Sequence, residues 1–138
     1  MAVEQTLILA KPDAMRRSLA GEIVARFERR GFHLRAARLL TVDRKLAEEH
    51  YAEHEAKSFF GELVEFITSG PTLAFVLEGE GAIAMARTTI GATNPADATP
   101  GSLRGDFAAA MTDNLVHGSD SPESAAREIA LWFPDGLV

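Results

Sequence analysis

Two short, uninterrupted apolar runs constrain the fold of this chain more than any other feature. Residues 6–10 read Thr-Leu-Ile-Leu-Ala, and residues 72–77 read Thr-Leu-Ala-Phe-Val-Leu. A proline bounds each run, Pro12 after the first and Pro71 before the second. Apolar runs of this length between turn residues are typical of strands buried on both faces. The sequence therefore predicts a sheet with two central strands that is covered by helices on both sides.

Amphipathic segments around these runs supply the remaining elements. Phe32, Leu34 and Ala36 alternate with polar residues, which indicates another strand, and a short strand is expected just before the last helix. Ser121 is a typical N-cap for that last helix, with Pro122 in its first turn, and Asp43 is a plausible N-cap for an earlier helix. Further helices are predicted at residues 20–30, 43–54, 60–68 and 80–89, and a long loop of the kind that often carries function spans residues 91–113. This order predicts an α+β sandwich, a four-stranded and mainly antiparallel sheet with helices packed on it, in one domain over residues 1–138.

Composition and charge exclude several classes of function. The 138 residues include 14 basic and 20 acidic side chains, a formal net charge of −6, and no cysteine. Disulfide frameworks, thiolate metal sites and cysteine nucleophiles are therefore impossible. The acidic balance argues against general nucleic-acid binding but leaves room for a small anion at one basic spot. We identify no targeting or membrane segment and expect a cytoplasmic protein.

The segment Asn-Leu-Val-His-Gly-Ser-Asp at residues 114–120 is the strongest candidate for chemistry. In this segment His117 lies at the end of a short strand, just before a glycine turn and close to the start of the last helix. A neutral imidazole is a nucleophile, and a helix N-terminus favours incoming negative charge. Glu128 lies at the edge of the apolar stripe of that helix, where it could orient His117. The alternative is a core histidine satisfied by the neighbouring serine and aspartate.

Basic and aromatic residues elsewhere are consistent with a phosphate site. Lys11 follows the first buried strand, Arg87 lies at the end of a predicted helix, and Arg104 lies within the long loop. Guanidinium groups bind phosphate in bidentate fashion, so their convergence on a histidine would form a polyphosphate site without a glycine-rich phosphate loop. Phe59 and Phe60 form an aromatic pair, of which one could belong to the core and the other could stack on a base. The alternatives are a lysine that extends to solvent and ordinary surface arginines.

A second pattern suggests a metal instead. His50 and His54 lie within His-Tyr-Ala-Glu-His, which matches the inverted zinc-protease pattern. Helical spacing would place both imidazoles on one face, where they could share zinc. The alternative is a solvated helix face, because the surrounding stretch is polar throughout.

Several separated motifs together resemble the nucleoside diphosphate kinase family nearly from end to end. The similarity lies in Lys11-Pro12-Asp13, in Tyr51 with Phe59-Phe60, in residues 69–71, 91–95 and 100–107, in residues 114–120, and in residues 128–133. These motifs agree with the family in order and spacing. The resemblance implies a ferredoxin-like fold and a ping-pong reaction, in which the γ-phosphate of a nucleoside triphosphate passes through a phosphohistidine to a nucleoside diphosphate and thereby maintains NTP and dNTP pools.

The same resemblance implies roles for individual residues and partners. His117 carries the phosphate, Glu128 orients it and Ser119 supports their hydrogen bonds. The other implied site residues are Lys11, Arg87, Thr93 and Arg104 for phosphates, Tyr51 near the transferred group, Asn114 with Lys11 for the ribose, and Phe59 with Met111 for the base. Mg²⁺ is expected on the nucleotide phosphates rather than in a protein metal site, and a homo-oligomer, a tetramer or hexamer built from dimers, is expected.

One departure from the family pattern keeps another function open. Ser58 stands where the family usually has proline before the phenylalanine pair. A nucleotide-binding regulatory module that has lost turnover would keep the fold and the pocket. No catalytic position departs from the family pattern, so an active enzyme is the leading hypothesis.

Overall fold

The computed structural model describes residues 2–111 and 114–138. Its centre is a four-stranded sheet in the order β2-β3-β1-β4, in which every strand pairs antiparallel to its neighbours. The strands are β1 Val3–Ala10, β2 His33–Thr41, β3 Pro71–Glu80 and β4 Val116–Gly118. The two uninterrupted apolar runs form the central strands β1 and β3. The predicted α+β sandwich is therefore confirmed.

Seven α-helices accompany the sheet in the described part of the chain. They are α1 Pro12–Arg16, α2 Ala20–Arg29, α3 Arg44–His50, α4 Phe60–Ile67, α5 Ala82–Ile90, α6 Leu103–Phe107 and α7 Pro122–Trp132, with single 3-10 turns at Ala52–His54 and Pro95–Asp97. The predicted N-caps are present, since the side chains of Asp43 and Ser121 accept hydrogen bonds from the first turns of α3 and α7. Among the described helices, none has the length and apolar character to cross a membrane.

Helices cover both faces of the sheet, as the continuous apolar runs predict. On one face, Ile8 of β1 packs in a cluster with Phe27 of α2 and Ala86 of α5. On the other face, Leu9 belongs to a cluster with Trp132 of α7. All five of these side chains are fully buried. Successive residues of β1 thus point into two separate cores, which accounts for the absence of polar alternation in its sequence.

The sequence did not predict the two shortest helices, α1 and α6. Pro12 was interpreted as the end of a strand, but it also occupies the first position of α1, where proline is favoured because its missing N–H costs nothing. The Ser102 side chain caps α6 by accepting from the Gly105 N–H. Five residues are too few to show helical periodicity, so only such caps could reveal these helices. Residues 112 and 113, at the end of the predicted long loop, lie outside the described residues.

The predicted alternation in β2 is wrong at Ala36. A register shift between Leu34 and Ala36 places one extra residue, Arg35, in the strand. Phe32 and Ala36 consequently pack into different cores, and Leu34 is 42% exposed. A β-bulge moves the residues that follow it to the opposite face, which the period-two pattern alone cannot indicate.

The entry to β4 adopts an unusual backbone that the end of β1 holds in place. Leu115 has a φ of 73°, in the left-handed region that residues other than glycine rarely adopt. Its N–H donates to the Asp13 carboxylate at 3.0 Å, and its carbonyl accepts from the Lys11 N–H at 2.9 Å. Leu115 and Asp13 are both buried. These bonds compensate the backbone cost and fix where β4 begins.

This contact gives a stability prediction. Asp13→Ala should lower the free energy of unfolding by about 1–3 kcal/mol, because it leaves the buried Leu115 N–H without an acceptor. Urea denaturation followed by circular dichroism measures the change. Asp135→Ala removes an exposed carboxylate and is the matched control. Equal stability of the two variants would contradict the role given to Asp13.

Candidate functional site

His117 lies in the middle of the short edge strand β4, opposite Leu9 of β1. The pairing orients its side chain toward α3 and α7, since Leu9 packs in the core cluster of that face. The next residue is glycine, and a Cβ on Gly118 would lie 2.7 Å from Ile90 Cδ1, so the absence of a side chain lets α5 approach β4 closely. This close approach of α5 to β4 places the helix beside the histidine. The side chain of His117 is 23% exposed, so it is neither a sealed core residue nor a free surface group.

Glu128 and Ser119 bind one side of the His117 ring. The Nε2 atom of His117 lies 2.9 Å from Glu128 Oε1, and the Ser119 hydroxyl donates to the same oxygen at 2.7 Å. The Ser119 hydroxyl also accepts from the Leu7 N–H of β1. Ser119 is fully buried and Glu128 is 5% exposed. The contact between His117 and Glu128 that the sequence predicts is therefore present.

The ionisation of Glu128 determines which nitrogen of His117 carries the proton. Burial by itself would raise the pKa of Glu128, but the hydrogen bond and charge of His117, with smaller contributions from His50 and Ser119, bring the pKa below its ordinary value. A carboxylate can only accept, so His117 donates from Nε2. The Nδ1 atom of the neutral ring is then left with its lone pair.

Two adjoining clefts open around His117. The larger has a volume of about 480 Å³ and the smaller about 230 Å³, and His117 lines both. All the predicted site residues except Ser119 line one or both clefts: Lys11, Tyr51, Phe59, Arg87, Thr93, Arg104, Met111, Asn114, His117 and Glu128. Ser119 lies behind Glu128, which it binds.

Arg104 and Arg87 are held in the smaller cleft by backbone carbonyls. Arg104 donates to the carbonyls of Asn114, Gly91 and Val116, while Arg87 donates to Gly118 at 3.0 Å. Burial, followed by the charge of Arg87, lowers the pKa of Arg104 to about 10, which leaves it cationic at neutral pH. Within residues 2–111 and 114–138, neither guanidinium forms an ion pair with a carboxylate. Their charge is available to an anion in the cleft.

Lys11 and Asn114 form a buried polar pair on the wall of the larger cleft. The Lys11 ammonium donates to the Asn114 side-chain oxygen, and the two residues are 7% and 6% exposed. The Asn114 amide nitrogen donates to the Thr93 carbonyl. The expected alternative for Lys11, a side chain that extends to solvent, does not apply.

The outer wall of the larger cleft is apolar and exposed. Phe59 is 43% exposed and Met111 is 57% exposed, and both line this cleft. Tyr51 lies deeper and lines both clefts. Burial, followed by the charge of Glu128, raises the pKa of Tyr51 to about 12, so its phenol remains a neutral donor.

The structure does not place His50 and His54 on one helix face, as the zinc hypothesis requires. Helix α3 ends at His50, and His54 belongs to the following 3-10 turn, so helical spacing does not apply between them. Among the described residues, the group that could hold a metal is His50, His117 and Glu128, with ligand atoms within 4.8 Å of one another. The Nδ1 atom of His50 accepts from the Trp132 indole, and Nε2 of His117 donates to Glu128. A metal bound through Nδ1 of His50 and Nε2 of His117 would have to break both bonds.

The sequence missed three contributors to the site. Asp13 holds the strand that carries His117, as described above. Arg127 donates to the Glu49 and His50 carbonyls and so ties α7 to the end of α3. His50 was singled out for a different chemistry. The long-range contacts of these residues leave no signal in local sequence patterns.

Comparisons with known proteins agree with this geometry. The family model described as nucleoside diphosphate kinase matches residues 4–138. A nucleoside diphosphate kinase of Rubrobacter xylanophilus is 60% identical over 131 residues, 95% of this chain and 98% of the relative. The nucleoside diphosphate kinase structure of Halobacterium salinarum in complex with CDP has a TM-score of 0.95 at 46% identity and covers 99% of this chain and 92% of that one. A family member from Babesia bovis has a TM-score of 0.95 at 44% identity over 98% of this chain and 92% of its own. The chain belongs to the nucleoside diphosphate kinase family of phosphotransferases.

Proposed function

We propose that this enzyme transfers the γ-phosphate of a nucleoside triphosphate, typically ATP, to a nucleoside diphosphate through a phosphohistidine on His117. One observation carries the proposal. The bond from Nε2 to Glu128, 2.9 Å long, leaves the Nδ1 lone pair of His117 beside a cleft that Arg87 and Arg104 line. A nucleophile next to two cations is the arrangement that phosphoryl transfer requires.

In the first half-reaction, the Nδ1 lone pair attacks the γ-phosphorus. The bond between that phosphorus and the oxygen bridging to the β-phosphate breaks, and the nucleoside diphosphate leaves with the electron pair. The imidazole ring then carries the phosphoryl group on Nδ1 and the proton on Nε2. Glu128 balances the positive charge that develops on this ring, and Ser119 keeps the carboxylate in position by donating to the same oxygen.

The second half-reaction reverses the first with another nucleotide. A terminal oxygen of the incoming nucleoside diphosphate attacks the phosphorus, the N–P bond breaks and Nδ1 regains its lone pair. No proton leaves the bond to Glu128 in either direction. One site therefore serves the donor and the acceptor in turn, which is the ping-pong order.

The basic and polar residues of the clefts bind the phosphates and the ribose. Arg87, Arg104, Lys11 and Thr93 hold phosphate oxygens, and Tyr51 lies near the transferred group. Asn114 and Lys11 bind ribose hydroxyls. The carbonyl bonds of Arg104 use three of its five N–H donors, so the side chain is fixed while donors remain for phosphate. Positioning and charge neutralisation are the protein's main contributions.

The base binds through its faces rather than its edges. Phe59 stacks on one side, and Met111 lies opposite it at the exposed end of the larger cleft. Because every base has a π-face, such a site accepts purines and pyrimidines alike. The CDP complex of the Halobacterium salinarum relative supports a pyrimidine nucleotide as one ligand.

Mg²⁺ would be held by the phosphates of the bound nucleotide, whose charge it would neutralise. The described residues of the smaller cleft fit this role. They include two arginines and the exposed carboxylates of Glu53 and Asp120, and these do not form a closed carboxylate cage. The 138 residues act as one domain, in a cytoplasmic homo-oligomer built from dimers, a tetramer or a hexamer, that maintains NTP and dNTP pools.

The central prediction concerns covalent labelling. Incubation with ATP labelled at the γ-phosphate should label the protein in an acid-labile, base-stable form, because phosphohistidine has that stability. His117→Ala should abolish the label. His33→Ala removes an exposed histidine on β2, distant from the clefts, and is the matched control. Labelling of His117→Ala at the wild-type level would refute the proposal.

Discharge of the label separates an enzyme from a regulatory module that only binds nucleotides. Addition of an unlabelled deoxynucleoside diphosphate to the labelled protein should release the label as the corresponding triphosphate. Chromatography of the released nucleotide measures this transfer. A label that persists after this addition would favour the regulatory module.

Glu128→Gln tests the charge of the carboxylate, because glutamine keeps the shape and an acceptor but carries no charge. The rate of His117 phosphorylation should fall by at least about 100-fold, since orientation and charge balance by a carboxylate typically contribute that much to a reacting histidine. Rapid quench with labelled ATP measures this rate. An unchanged rate would show that Glu128 serves only as packing.

The same variant gives a prediction for stability against pH. The pKa of Glu128 in the folded protein lies below the ordinary value of 4.5. Its stabilising contribution is therefore complete above that value and is lost as pH falls through the lower, folded pKa. The free energy of unfolding of the wild type should fall relative to Glu128→Gln below pH 4.5, as urea titrations at several pH values would show. Parallel pH profiles would contradict this.

A further inference from the structure

His50 is a buried histidine that the proposed reaction does not use. It is the last residue of α3 and is 4% exposed. Its ring meets the ring of His117 edge to face, with centroids 4.7 Å apart and an interplanar angle of 78°. On another side it meets Trp132 at 5.4 Å and 87°. It thus lies between the reacting histidine and the end of α7.

The Trp132 indole fixes the proton of His50. The indole N–H donates to His50 Nδ1 at 3.1 Å, and this bond is buried. An indole nitrogen is a donor only, so Nδ1 must be unprotonated, and a neutral imidazole then carries its proton on Nε2. Protonation of both nitrogens would break the bond and leave a buried indole N–H without an acceptor.

The groups that face His50 also disfavour its charged form. Burial, followed by the charge of His117, lowers the pKa of His50 to about 3; Arg127 and Lys11 add to this, and Glu128 opposes it. Tyr51, which remains a neutral phenol, meets the ring at 4.8 Å. Charged and titratable groups from α7, β4 and the end of β1 thus leave His50 neutral throughout the physiological range.

We propose that His50 is a positioning residue for phosphotransfer: a neutral ring, locked in one tautomer by Trp132, that holds the His117 ring in the plane its bond to Glu128 requires. The proposal rests on the proposed function and adds a support behind its nucleophile. Trp132 and Glu128 lie four residues apart on α7 and so share one helix face. That face holds His117 twice, directly through Glu128 and indirectly through Trp132 and His50.

The neutrality of His50 matters because the His117 ring becomes positively charged when phosphate adds to Nδ1. A second imidazolium at this distance, in a buried setting, would oppose that charge. A neutral ring with a fixed proton restricts the motion of His117 without electrostatic cost. It also separates the roles of the two histidines, because only His117 reaches the clefts with a free lone pair.

Three variants test separately the Trp132 N–H, the acceptor nitrogen of His50 and the His50 ring. Trp132→Phe keeps a ring in the core but removes the N–H that locks His50. His50→Phe keeps a ring against His117 but removes the acceptor. His50→Asn keeps an acceptor near the position of Nδ1 but removes the ring. His33→Phe makes the same substitution at an exposed position on β2 and is the control.

Each of the three variants should reduce the rate of His117 phosphorylation by about tenfold, because misplacement of a reacting group by a fraction of an ångström has an effect of that size. The KM for ATP should stay within about twofold of the wild-type value, since the phosphate-binding and base-binding residues are untouched. His33→Phe should behave like the wild type. A wild-type rate in His50→Phe would show that only packing matters, and one in His50→Asn that the ring is dispensable; either result overturns the proposal.

Nitrogen NMR of the imidazole rings tests the positioning role of His50 in the absence of the reaction. In the wild type, His50 should show one tautomer, protonated on Nε2, with no titration between about pH 5 and 8. Trp132→Phe should alter this signature and the signals of the His117 ring. Titration of His50 in the wild type, or unchanged His117 signals in Trp132→Phe, would refute the proposal even if a variant fails to fold. Absence of any phosphohistidine in the wild type would instead refute the proposed function.

Discussion

The hydrogen bond from the Leu115 N–H to the buried Asp13 carboxylate is the contact on which the site depends. Strand β4 has only three residues, too few to fix its own register against β1. The turn at Leu115, in a left-handed backbone conformation, is held by Asp13 and by the N–H of Lys11. Because Lys11 and Asp13 directly follow β1, the same few residues that end one strand begin the other. Lys11 is thereby brought to His117 without a dedicated loop.

The placement of arginines resolves the contrast between an acidic protein and an anionic substrate. The net charge is −6, yet the two arginines at the clefts bind backbone carbonyls, and within the described part of the chain neither forms an ion pair with a carboxylate. Elsewhere arginines have acidic partners: Arg26 binds Asp106 at 2.7 Å and Arg35 binds Glu78 at 2.8 Å. Backbone carbonyls orient a guanidinium and offset part of its burial cost but do not cancel its charge. The two guanidinium charges beside His117 therefore remain available to an anion within a protein of negative net charge.

The sequence predicts features that depend on neighbouring residues, but not contacts between residues far apart in the chain. Continuous apolar runs predict β1 and β3 because a strand that is buried on both faces needs apolar side chains at consecutive positions. The cap Asp43 predicts the start of α3 because its acceptor is three residues away. The bulge between Leu34 and Ala36 depends on pairing with β3, so the period-two pattern does not predict it. The bond between Trp132 and His50 joins residues 82 apart, so neither residue's neighbours reveal it. Some cleft residues were predicted from their sequence positions and the others from resemblance to a family, and the structure adds how they are held.

The two histidines at the site show how one residue type takes opposite roles in adjacent positions. His117 has a carboxylate on one nitrogen, which would stabilise the cationic ring in the phosphotransfer that we propose. His50 has an indole N–H on one nitrogen, which stabilises the neutral ring. Both partners come from α7, and Arg127 ties that helix to the carbonyl end of α3. A shift of α7 along its axis would disturb both rings at once. The packing of one helix thus determines both which nitrogen of His117 carries the proton and why His50 stays neutral.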